Sequence, residues 1–117
     1  MFQLEKRHQK IIQQILSKYP YKFYAYGSRV KGNAWKLSDL DLCYYDNIPS
    51  GAICEIREEF EQSNLPFMVE LVNWKSMRPA FQKTIQKDLI LIFPPSFQDT
   101  KKILFKSQKR LKDKINE

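Results

Sequence analysis

Leu4, Ile11, Ile12, Ile15 and Leu16 recur at helical spacing with Lys and Gln between them, which predicts an amphipathic first helix. Tyr19-Pro20 ends it, because a residue before proline avoids helical geometry. His8 shares the apolar stripe and reads as a packed residue, not a catalyst. Lys22 to Tyr26 is aromatic and strand-like, and Gly27-Ser28 interrupts it. Ser38 to Tyr45 alternates polar and apolar before turning apolar, as a half-buried strand entering a core does. The turn cluster Asn47 to Gly51 precedes a helix over Ala52 to Gln62, with Ile53, Ile56 and Phe60 on one side and glutamates on the rest. Phe67 to Trp74 predicts a strand with Met68, Glu70 and Val72 on one face and Phe67, Val69 and Leu71 on the other. Pro79 opens a helix expected to carry Ala80, Phe81 and Ile85 inward, and Leu89 to Phe93 is a last strand stopped by Pro94-Pro95. Gln98 to Glu117 reads as a basic helix. The order predicts an α/β (α+β) domain over residues 1–95 and a basic C-terminal helix over 96–117.

With 117 residues the chain has room for one domain and its core. No apolar run approaches the roughly eighteen residues of a membrane span, the longest being Leu89 to Phe93, and the polar start Met1–Lys10 is no secretory signal. Cys43 and Cys54 lack metal-ligand spacing and read as buried free thiols of a cytoplasmic protein. A single histidine removes Ser-His-Asp triads and His-rich metal sites from consideration.

The net charge of +7 invites a nucleic-acid reading, but its distribution complicates that. Residues 1–36 carry eight basic and one acidic group, residues 37–74 one basic and eight acidic, and residues 75–117 eleven basic and four acidic. The acidic middle third needs its own explanation.

Asp39 and Asp41 supply one. Two apart on an expected strand, their side chains leave the same face, while Leu40 and Leu42 anchor the other. Like charges side by side are costly unless a cation sits between them, and Mg²⁺ with its hard oxygen ligands is the natural one. Glu70 lies among apolar residues in the strand expected at 67–74, where an unpartnered buried carboxylate would be expensive. Three acids on neighbouring strands would make a two-metal site for in-line displacement at phosphorus. Gly27 and Ser28, at a strand end, offer backbone N–H groups and a hydroxyl suited to phosphate, with Arg29, Lys31 and Lys36 adding positive charge. Gly32 lets the chain turn away.

Gly27-Ser28, ten intervening residues and then Asp39-Leu40-Asp41 resemble the signature of the DNA polymerase β nucleotidyltransferase superfamily. Ser38-Asp-Leu-Asp-Leu and Val69-Glu70-Leu71-Val72-Asn73-Trp74 are similar to its minimal nucleotidyltransferase branch, over roughly residues 8 to 93. The resemblance implies a nucleotidyltransferase fold, a small mixed sheet flanked by helices. It also implies an antitoxin that transfers AMP from ATP to a tyrosine of an α-helical HEPN-domain toxin, in a hetero-oligomer. Gly27 and Ser28 would hold the β- and γ-phosphates, Asp39 and Asp41 would bridge two Mg²⁺ ions, and Glu70 would be the third carboxylate. That third position is commonly Asp in the branch, and Glu is longer by one methylene.

Two rival readings differ in class. The same fold could mask a partner without chemistry, docking through Ile103, Leu104, Leu111 and Ile115 of the tail. Residues 98–117, with seven Lys/Arg against three acids, could instead bind RNA, although such a run is more often a solvated helix face. A chain this short leaves little room for a small-molecule acceptor domain.

Overall fold

The period-2 segments form a four-stranded sheet, and the period-3.6 segments cover its two faces. The computed structural model describes residues 3–94. In chain order it contains α1 (Lys6–Leu16), β1 (Phe23–Tyr26), α2 (Ser28–Lys31), β2 (Leu40–Tyr44), α3 (Ser50–Glu61), β3 (Val69–Asn73), a short 3-10 turn (Trp74–Ser76), α4 (Pro79–Gln86) and β4 (Ile90–Phe93). The basic helix expected over 96–117 lies outside the described residues.

The strand order is β3-β2-β1-β4. Neighbours β1 and β2 run antiparallel, as do β1 and β4, while β2 and β3 are parallel and joined through α3. The sheet is therefore mixed, as expected.

Alternation along the strands splits the core in two. On one face Phe23, Ala25, Leu40, Leu42, Tyr44, Leu71 and Ile92 meet Ile12, Ile15 and Leu16 of α1 and Ile53, Ile56 and Phe60 of α3. Fully burying one such side chain contributes about 1.5–3 kcal/mol, so this layer supplies most of the driving force. His8 is buried here, its ring edge-on to Phe67 with centroids 5.4 Å apart, in keeping with a packed role. On the opposite face Tyr26 and Cys43 form a smaller cluster with Ile85 of α4, flanked by Tyr24, Trp74, Met77 and Leu89. Pro79 occupies the first turn of α4, where its missing N–H costs nothing.

Several expectations need correction. The strand expected from Ser38 starts at Leu40, so Asp39 stands just outside the ladder. The strand expected from Phe67 starts at Val69, because the ladder with β2 begins at the pair Leu40–Val69. Only Ile85 of α4 is buried. Ala80 and Phe81 are exposed, because the eight-residue helix covers the sheet along a narrow stripe. Cys43 is buried as expected, but Cys54 lies on the outer side of α3 and is exposed.

Candidate active site

The site is assembled where β1 ends and β2 and β3 begin. Gly27 closes β1 with φ +89° and ψ −157°, a backbone conformation that side chains with a Cβ rarely adopt. The chain then enters α2 at Ser28 and leaves it through Gly32, at φ 82°. Close approach adds a second reason for glycine at position 27. A Cβ there would stand 2.5 Å from Oδ2 of Asp41, so the bare backbone forms a wall of the Asp41 pocket.

Asp41 is the second residue of β2. In the ladder it faces Tyr26 of β1 on one side and Glu70 of β3 on the other. The three form a row across the sheet, on the same face as Cys43. Burial, then Glu70, then Asp39 push the Asp41 carboxyl up to about 6. Burial, followed by Asp41, likewise pushes the Tyr26 phenol to about 12, so it is neutral at pH 7. Burial raises the Cys43 thiol to about 11, which leaves it protonated and unreactive.

Glu70 neighbours Asp41 as the sequence suggests, but the reason given for it fails. β3 is an edge strand, and Glu70 sits on its solvent side beside the exposed Met68. Its side chain meets water. Among the described residues, neither ion pair involves Asp39, Asp41 or Glu70. Nor do any three His, Cys, Asp or Glu side chains among them converge closely enough to hold an ion as they stand. The donor chemistry does fit Mg²⁺: two acids coupled to a half-buried third, all oxygen ligands, with the outer two exposed and able to turn inward.

Arg29 departs furthest from expectation. Its guanidinium is turned inward, away from the solvent side where a phosphate would lie. Nε and Nη2 donate to the Ser38 carbonyl at 3.0 and 2.7 Å, Nη2 to the Lys36 carbonyl at 3.1 Å and Nη1 to the Gln3 carbonyl at 2.9 Å. The group also stacks 4.0 Å over the Phe67 ring. Burial lowers its pKa, and Asp39 opposes that shift. Arg29 thus pins the loop that delivers Asp39. The physical reason is that carbonyls left unpaired in the 33–38 loop need donors, and a planar fork supplies several at once. Lys31 and Lys36 are exposed, and Ser28 is half-buried at the first position of α2.

A family model, "Polymerase beta, Nucleotidyltransferase", matches residues 9–98. The chain belongs to this nucleotidyltransferase family. The enzyme class follows from that membership. Within known proteins, the chain is 37% identical over 84 residues to a Haemophilus influenzae protein described as "Probable protein adenylyltransferase MntA", covering 70% of this chain and 72% of that one. The fold is similar to a toxin–antitoxin crystal structure with AMP-PNP, at TM-score 0.57 and 20% identity over 92% of this chain and 94% of that one. It is also similar to a toxin–antitoxin MntA–HpeT structure, at TM-score 0.52 and 19% identity over 97% and 95% of the two chains. Among the described residues, no helix of this nucleotidyltransferase is long and apolar enough to cross a membrane.

Sequence reasoning missed Tyr26 and the structural work of Gly27 and Arg29. Position offered a signal for the first: Tyr26 directly precedes the glycine on a strand whose partner must carry Asp41. For Arg29 no signal existed, because its carbonyl partners are an effect of loop shape.

Proposed function

We propose that this nucleotidyltransferase moves AMP from ATP, with Mg²⁺, onto a hydroxyl of a helical HEPN-domain partner, a tyrosine being the expected acceptor, and acts as its antitoxin. The single observation that carries the reading is the row Tyr26–Asp41–Glu70 packed against the bare backbone of Gly27, which gathers carboxylate charge beside Ser28 at the start of α2. The Haemophilus influenzae relative, described as a protein adenylyltransferase, supports a protein acceptor.

In this reading Gly27 and Ser28 bind the β- and γ-phosphates, with Lys31 beside them. Asp39, Asp41 and Glu70 would hold two Mg²⁺ ions, which supply charge neutralisation at the transferring phosphoryl group. The acceptor oxygen forms a bond to the α-phosphorus as the bond from that phosphorus to the bridging oxygen breaks. Pyrophosphate leaves with the electron pair, and the acceptor proton passes to Glu70 and then to solvent. Most of the acceleration comes from positioning and electrostatics, as elsewhere in phosphoryl transfer.

A second reading is masking of the partner without chemistry. It is favoured by Glu70, one methylene longer than the Asp common at the third-carboxylate position of the branch. Neutralisation of the partner by an Asp39→Ala/Asp41→Ala variant separates the two. Under the transferase reading that variant neither labels nor silences the partner; under the masking reading it silences the partner as wild type does.

A further inference from the structure

Phe81 and Ile85 are four apart on α4, so they share one stripe of the helix. Ile85 is buried in the cluster with Tyr26 and Cys43. Phe81 meets the same Tyr26 edge to face, with ring centroids 6.0 Å apart and planes at 80°. It projects from the sheet-facing stripe and still remains 45% exposed. Tyr26 is in turn the direct cross-strand partner of Asp41, and Cβ atoms in such pairs lie about 4.5–5.5 Å apart. Phe81 therefore stands one aromatic ring away from the carboxylate row, on the same face of the sheet.

The transferase reading leaves few directions on that face. The β- and γ-phosphates lie at Gly27-Ser28, and the carboxylate row holds the metals beside the α-phosphorus. In-line displacement reserves the side opposite the leaving pyrophosphate for the acceptor oxygen. The sheet itself closes the floor. The ribose and base have to leave in another direction, and α4 is the helix packed on this face.

Phe81 is also held as a rigid surface. Gln82 Nε2 donates to the Trp74 carbonyl at 2.8 Å, tying α4 to the turn before it, and Ile85 anchors the next turn. Thr84 Oγ1 donates to the Ala80 carbonyl at 3.0 Å. With these neighbouring donors engaged by backbone, the helix offers a nucleobase an aromatic face. Stacking needs only that, because every base has a π-face.

We infer that Phe81 is the stacking platform for the base of the donor nucleotide. The inference rests on the transferase reading for the position of the phosphates, but its test is a binding measurement that requires no transfer.

Equilibrium binding of Mg²⁺–ATP and of Mg²⁺–tripolyphosphate, which has the phosphates but no base, is measured on the full chain. Phe81→Ala removes the ring, Phe81→Leu keeps apolar bulk against Tyr26 without a π-face, and Phe81→Trp keeps the stack. Thermal unfolding checks that each variant is folded. The expected result is a Kd for ATP raised about tenfold by alanine and severalfold by leucine, and restored by tryptophan. The Kd for tripolyphosphate should stay within about twofold throughout. An unchanged Kd for ATP overturns the inference, as does equal weakening of both ligands or a failure of tryptophan to restore binding. A wild type that shows the expected binding pattern but transfers nothing to the HEPN-domain partner supports the platform and overturns the transferase reading, a distinct result.

Discussion

The α-carbon of Gly27 is packed against the carboxylate of Asp41 so closely that a Cβ on residue 27 would lie 2.5 Å from Oδ2. The backbone at Gly27 is also in a conformation that only glycine adopts without strain, at φ +89°. These two demands have different consequences. Strain acts on folding, whereas crowding displaces Asp41 from its row with Tyr26 and Glu70.

Gly27→Ala is therefore expected to lose about 1–3 kcal/mol of stability from backbone strain alone. AMP transfer should fall by about a hundredfold or more, because a misplacement near 1 Å at a reacting centre has that effect. Thermal unfolding and initial-rate labelling check the two losses separately. A variant as stable and active as wild type would show that neither constraint holds in solution.

Asp41 gives a pH dependence in the metal-free protein. Its carboxyl is held near 6 by burial, Glu70 and Asp39, against 3.8 ordinarily, so the folded chain holds a proton that the unfolded chain has released. Stability therefore declines as pH rises from about 4 to about 6 and stays low above that. The loss is about 1–2 kcal/mol once solvent screening of a half-buried group is allowed for. Asp41→Asn removes the charge, so with chelator at pH 7 it should melt a few degrees above wild type while losing transfer. A variant that melts lower at pH 7 would contradict this account of the carboxylate row.

Arg29 separates a structural role from a phosphate-binding one. Arg29→Ala strands the carbonyls of Ser38, Lys36 and Gln3 and removes the stack on Phe67, a loss of about 3 kcal/mol or more. The expected outcome is a large fall in melting temperature that saturating Mg²⁺–ATP does not reverse. An unchanged melting temperature with a raised KM for ATP would return Arg29 to the phosphates.

Much of this molecule was legible in the sequence because the informative signals are local. The stripe of Ile12, Ile15 and Leu16, the Gly27-Ser28 break and the Asp39-x-Asp41 pair all act within a few residues. What was not legible depends on contacts far apart in the chain. Arg29 reads as a cation beside a phosphate until the Ser38, Lys36 and Gln3 carbonyls are brought to it. Glu70 reads as a buried acid until β3 is found at the sheet edge, where its side chain meets water. Phe81 and Cys54 carry the same lesson: a helical period identifies a stripe, but how much of it is covered depends on what packs there. The partition of charge keeps its meaning in the fold, since Asp39, Asp41 and Glu70 belong to the acidic third and Lys31 and Lys36 to the basic one.

The central claim is chemical transfer, and one measurement addresses it directly. The purified chain is incubated with Mg²⁺, its HEPN-domain partner and ATP labelled at either the α- or the γ-phosphate. The account predicts label on a hydroxyl of the partner from α-labelled ATP only, release of pyrophosphate, and loss of both with Asp41→Asn. Label from γ-labelled ATP, or silencing of the partner with no label from either, would contradict it.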